Sequence, residues 1–210
     1  MLEGQVTEIS FSIDKLSSMI VEARGTKGAG YPVIHNITFT LIGTKIIGLD
    51  SEENPVPKYS QAHTVNGAGR IEIANLEWDS YIFFIDRETT GLDLVAVESP
   101  PGVETEQPID LLPNTQLSIR LVLRAENSLL VTVQDFETNE PIFSAGVRLQ
   151  NTGLEYDKAQ YTDDKGQTYF IPLEAGTYDL TVEAPGYQGY VGTVPVSGDT
   201  TQTISLERIE

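Results

Sequence analysis

His35 and His63, the two imidazoles of the chain, are expected in different strands, and neither stands in the His-Glu-x-x-His or His-x-x-Glu spacing that a zinc hydrolase requires. A serine-nucleophile elbow of the form Gly-x-Ser-x-Gly does not occur. With 0 cysteines the chain has no thiol chemistry, no disulfides and no Cys-based zinc or iron–sulfur site. Asp50, Glu52 and Glu53, together with Asp163 and Asp164, offer hard oxygen ligands suited to calcium. The Asp-x-Asp-x-Asp-Gly order of an EF-hand is absent, and solvated acidic loops are ordinary on so acidic a chain. The expectation is therefore no catalytic residue, no metal and no cofactor. Three aromatics near turns, Trp78, Tyr187 and Tyr190, present ring faces that a sugar can stack on, although a single Trp in a strand-connecting turn also serves as a core plug. Asn36-Ile37-Thr38 matches a glycosylation sequon, with Ile37 expected in a strand.

Charge narrows the classes further. The 210 residues carry 31 acidic against 13 basic side chains, a formal charge of −18, and the isoelectric point is near 4.3. Such a potential repels phosphate backbones and anionic lipid, which argues against nucleic-acid binding. No apolar run approaches the roughly 18 residues that span a bilayer, and Met1-Leu2-Glu3-Gly4 does not open a signal peptide. Membrane attachment is expected only through an N-terminal segment beyond this sequence.

The elements that position these residues read as short strands. Ala145, Val147 and Leu149 fall on one face of a period-two run, as do Tyr178, Leu180 and Val182, and Ile37, Phe39 and Leu41. Gly, Pro, Asn and Asp bound these runs, and no segment has helical periodicity. The pattern predicts an all-β chain of sandwich type.

An internal repeat divides it. Leu76-Glu77-Trp78-Asp79-Ser80-Tyr81 aligns with Leu173-Glu174-Ala175-Gly176-Thr177-Tyr178, so Tyr81 and Tyr178 are 97 residues apart, as are Tyr59 and Tyr156. Upstream, Leu41 aligns with Leu149 at an offset of 108, which leaves 11 extra residues in the first copy between Gly43 and Lys58. Asp50, Glu52, Glu53, Pro55 and Pro57 give that insertion a loop composition. The expected domains are 16–124, with an inserted loop near 43–58, and 125–210, with the boundary near Arg124-Ala125-Glu126-Asn127. Leu76, Tyr81, Leu173 and Tyr178 should be buried equivalents. Ile9-Ser10-Phe11 resembles Leu117-Ser118-Ile119 and Ile204-Ser205-Leu206, so residues 1–15 are expected to be the closing strand of a preceding repeat, captured along a sheet edge.

Val131-Thr132-Val133-Gln134-Asp135, Pro141-Ile142, Gly166, Gly176-Thr177-Tyr178 and Ala184-Pro185-Gly186-Tyr187 resemble the carboxypeptidase regulatory-like domain, a transthyretin-like, seven-stranded Greek-key β-sandwich. The resemblance implies two tandem transthyretin/prealbumin-like Greek-key sandwiches. Thr38-Phe39-Thr40-Leu41, Gly43-Thr44-Lys45, Lys58-Tyr59-Ser60-Gln61 and Leu112-Pro113-Asn114-Thr115, with the Leu-Glu signature, are similar to minor-pilin-like proteins, in which a prepilin-type segment precedes tandem domains of this kind. That similarity implies a non-catalytic structural or spacer module at the cell surface, with other surface or pilus subunits as partners. The alternative is an adhesin module binding carbohydrate or protein, with Trp78, Tyr187 and Tyr190 as glycan contacts. Transthyretin-like hydrolases end in a tetrapeptide beginning Tyr-Arg-Gly, whereas this chain ends Leu206-Glu207-Arg208-Ile209-Glu210. Related collagen-adhesin B modules form a Lys–Asn isopeptide bond with a Glu four residues after the strand Tyr. Ile85 and Val182 occupy those positions here, so no bond is expected although Lys15 and Asn127 flank the first module.

Overall fold

The structure, a computed structural model, describes residues 15–209, and the strand expected within residues 1–14 lies outside them. The first half contains β1 (Ser17–Arg24), β2 (Thr38–Gly43), β3 (Ile46–Leu49), β4 (Pro55–Pro57), β5 (Ser60–Thr64), β6 (Arg70–Leu76) and β7 (Asp79–Phe84). A single-turn helix α1 (Arg87–Thr90) follows, then β8 (Asp93–Glu98), β9 (Ile109–Leu111) and β10 (Gln116–Arg124). The second half contains β11 (Asn127–Asp135), β12 (Gly146–Asn151), β13 (Tyr156–Tyr161), β14 (Gln167–Leu173), β15 (Gly176–Glu183), β16 (Tyr190–Val196) and β17 (Asp199–Leu206).

Alternation builds these strands. In β1 the side chains of Ser17, Met19, Val21 and Ala23 are buried and their neighbours are not, and in β12 Val147 and Leu149 point inward while Arg148 is exposed. Sheets of order β6-β1-β10-β8 and β5-β2-β7-β9 enclose the first core, and sheets of order β14-β11-β17 and β13-β12-β15-β16 enclose the second. Each half opens on a strand that pairs in parallel with its last, Val21 opposite Ile119 and Val131 opposite Gln202. The chain is thus all-β, with its sheets arranged as two β-sandwiches in succession.

The repeat extends to individual contacts around the two tyrosines. Leu76, Tyr81, Leu173 and Tyr178 are all buried. The Tyr81 hydroxyl donates to the Glu77 carbonyl at 2.9 Å, and the Tyr178 hydroxyl to the Glu174 carbonyl at 2.9 Å. Tyr59 meets Tyr81 edge-on at 5.7 Å, and Tyr156 meets Tyr178 edge-on at 5.5 Å. The turns before β6 and β14 match as well: the Asn66 side chain accepts from the backbone N–H groups of Ala68 and Arg70, and Asp163 accepts from those of Lys165 and Gln167. Both turns close on a left-handed glycine, Gly69 at φ 67° and Gly166 at φ 68°. A Cβ on Gly166 would stand 2.4 Å from the Val133 carbonyl oxygen, so only glycine fits.

Three local expectations are revised. The extra residues of the first copy form a small β3–β4 hairpin in place of a plain loop, with Asp50 accepting backbone N–H bonds from Glu52 and Asn54 to close its tip. His35 lies in the loop before β2 while His63 lies in β5, so only one of the two is in a strand. Ile37 also precedes β2, which leaves Asn36 exposed in that loop at φ 55°.

Candidate functional site

A cleft of about 1080 Å³ lies where the two sandwiches meet. One wall is the loop and strand from Ile34 to Thr40, and the other is Lys158 to Tyr161 of β13. Ile34, Phe39, Tyr169 and Ile171 supply buried apolar surface from both sandwiches. Two aromatics stand open at the cleft, Phe84 at 53% and Tyr161 at 73% exposure. Neither was singled out in the sequence, yet a signal existed. Tyr81 and Phe83 face the core, so Phe84 had to lie on the wet face, and a large apolar side chain there asks for a partner.

Asp86 and Lys158 are the acidic and basic residues lining the cleft, one of each sign. Asp86 caps α1 by accepting from Glu88 N–H, and Gly91 ends the helix in the left-handed region. His35 also borders the cleft, with Nδ1 buried and without a partner among the described residues. Burial holds its imidazole below the ordinary range and Arg24 adds to this, while a backbone hydrogen bond with Gly67 and the Asp163 carboxylate act in the opposite sense.

The aromatics suggested by the sequence are not brought together. Trp78 is 47% exposed in the β6–β7 turn of the first sandwich, not a core plug. One ring face is covered by Lys45, whose Nζ stands 3.2 Å from the ring centroid and donates to the Trp78 carbonyl. Tyr187 and Tyr190 lie in the second sandwich, at and after the turn between β15 and β16. Among the described residues no three His, Asp or Glu side chains are grouped to hold a metal ion, and no helix is long and apolar enough to cross a membrane.

Tyr187 has a structural task. Its hydroxyl donates to buried Asp135 at 3.0 Å, and the same carboxylate accepts from Arg208 Nε at 2.7 Å and from the backbone N–H groups of Glu137 and Thr138 at 2.9 Å each. The Thr138 N–H first, then Arg208, hold the Asp135 carboxyl far below the usual carboxylate range, against the opposing effect of burial. The folded state therefore binds this proton more weakly than the unfolded chain does. Its stabilisation is present in full above the unfolded pKa near 4 and is lost as pH falls below it. Asp135→Asn is expected to lower the melting temperature at neutral pH and to flatten the loss of stability between about pH 5 and pH 2. Thermal denaturation of both proteins across that range checks this, and superimposable acid profiles would refute it.

The carboxypeptidase regulatory-like domain matches residues 128–207, which run from the second residue of β11 through the end of β17. No curated protein sequence matches the chain. Among solved structures, the TIE protein of Bacillus anthracis is 16% identical over 93% of this chain and 34% of its own, with a TM-score of 0.35. A streptococcal ancillary pilin is 14% identical over 92% of this chain and 62% of its own, with a TM-score of 0.34. GBS52, a minor pilin of Streptococcus agalactiae, is 14% identical over 92% of this chain and 97% of its own, with a TM-score of 0.36. The chain thus spans about a third of the first of these proteins and under two thirds of the second.

Proposed function

We propose that the chain is a non-catalytic structural spacer of a cell-surface appendage, the soluble portion of a minor-pilin-like protein, working outside the cell among other surface or pilus subunits. The observation that carries this reading is the packed junction between the sandwiches. Leu130, Tyr169 and Ile171 of the second half lie buried within the core cluster of the first. Gly25 fits beneath Tyr169, where a Cβ would stand 2.9 Å from the ring. A spacer must hold a fixed distance between its ends, and an apolar junction resists bending where a bare polar linker does not. On this reading residues 16–124 and 125–210 are the modules and residues 1–15 close a preceding repeat.

Small-angle scattering tests the rigidity: one narrow distribution of maximum dimension is expected, and a broad one would overturn the reading. The residues encoded ahead of Met1 test the setting, since a prepilin cleavage site followed by an apolar helix is expected there. An adhesin role has one structural point in its favour, the exposed Trp78. It requires that a neutral glycan bind and that Trp78→Ala remove the binding.

A further inference from the structure

The role of a spacer leaves one part of the second sandwich unexplained. β13 pairs with β12 along one side and, among the described residues, is the outermost strand of its sheet. Thr162 N–H donates to the Ala145 carbonyl, and Ser144 N–H donates to the Thr162 carbonyl, each at 3.0 Å, so the main chain of Thr162 faces β12. Strand alternation then turns the N–H and C=O groups of Tyr161 and Ala159 away from the sheet. Four consecutive residues of β13, Lys158 to Tyr161, line the cleft, which therefore runs along the strand's edge and not over one of its faces.

Exposed edges are ordinarily protected by charge or proline. At the other margin of the same sheet β16 carries Pro195, and β13 itself carries Asp157 and Lys158 in its first half. Ala159-Gln160-Tyr161 carries neither, and it is this uncharged half that borders the cleft. Phe84, 53% exposed, lines the same cleft and offers apolar surface to alternate side chains of an occupant. The balanced pair Asp86 and Lys158 matches an occupant with no net charge, in a chain of charge −18.

We propose that the open edge of β13 at Ala159 and Tyr161 receives an extended, uncharged polypeptide strand of a partner protein, which enters the cleft between the sandwiches by adding to the sheet. Main-chain hydrogen bonds supply the attraction, and alternate side chains meeting the apolar surface supply the preference. A saccharide would use the faces of Phe84 and Tyr161 but has no use for an unpaired backbone edge.

The probe is the capped peptide Thr-Val-Thr-Ile-Thr-Val-Thr, titrated into the full chain and followed by backbone amide NMR and hydrogen exchange. Binding is expected to slow exchange at Ala159 and Tyr161, and alternate N-methylation of the peptide, which keeps its side chains and removes donors, is expected to weaken it at least about tenfold. Ala159→Pro removes only an outward donor, so it should leave the β12 pairing intact and weaken binding by a similar factor. Should that variant fail to fold, the N-methylated peptide on the native chain still decides. No binding at about millimolar peptide, or binding that N-methylation does not change, overturns the proposal. So does a neutral oligosaccharide that binds with loss on Tyr161→Ala while the peptide does not. Neither result bears on the rigidity of the junction.

Discussion

Tyr178→Ala is expected to destabilise the second sandwich by about 3–5 kcal/mol, the range for removing a large buried ring that leaves a cavity its surroundings cannot close. The ring is among the largest fully buried side chains, packs edge-on against Tyr156 and donates its hydroxyl to the Glu174 carbonyl. Burial pushes that hydroxyl above its ordinary pKa. Tyr178→Phe removes only the hydroxyl and leaves the Glu174 carbonyl to other partners, at a cost of about 0.5–1.5 kcal/mol. The difference between the two variants isolates the packing of the ring. With a urea dependence of about 2 kcal/mol per molar, the alanine variant shifts the midpoint by roughly 1.5–2.5 M. The chain's 1 tryptophan, Trp78, lies in the first sandwich, so its fluorescence reports that half while circular dichroism reports both. The dichroism transition should move first and the fluorescence transition should lag. Tyr81→Ala should reverse that order, because Tyr81 is equally buried in the matching site, packs edge-on against Tyr59 and donates its hydroxyl to the Glu77 carbonyl. A loss below about 1 kcal/mol in either variant would contradict the buried-ring account.

The equivalence of these two tyrosines was legible because local pattern and repeat offset point to the same physical constraint. Alternation placed the rings on the core face, and the 97-residue offset carried Tyr59 and Tyr81 onto Tyr156 and Tyr178. Even the edge-on geometry recurs, since the same strand spacing brings the same rings together. The cleft was not legible in that way. Its walls come from β2 and its preceding loop on one side and β13 on the other, strands that share no hydrogen bonds and no sequence signature. The Asp135 network joins positions 135, 187 and 208, which the paired ends of β11 and β17 and the Tyr187–Arg208 bridge bring within reach. Trp78 escaped for a different reason. The turn before β7 is followed by a buried Asp79 that accepts from the Thr44 hydroxyl at 2.9 Å, so a polar contact closes that corner and the indole is left outside.

Tyr169→Glu is expected to separate the two sandwiches without unfolding either, and the repeat itself supplies the reason. Position 169 is the counterpart of position 72, 97 residues earlier, and the pairing agrees: Tyr169 lies opposite Leu130, and Glu72 opposite Ile20. The first sandwich thus carries an exposed glutamate at the site where the second carries a buried tyrosine. Ile171 likewise corresponds to exposed Ala74. The outward face of β11 and β14 is therefore apolar for the junction, not for the fold of its own sandwich. A carboxylate there stays charged only by reaching water, which opens the contact with Gly25 and with the core cluster of the first half. The loss is about 3–5 kcal/mol of coupling, as for removal of a large buried aromatic. Unfolding of the native chain should follow one shared transition, and the variant should show two. Scattering should broaden from one maximum dimension to a distribution, while amide spectra keep the dispersion of both folded cores. A variant that lost the second core's dispersion would mean that Tyr169 supports its own sandwich, and the junction would then not be the element that makes the chain rigid.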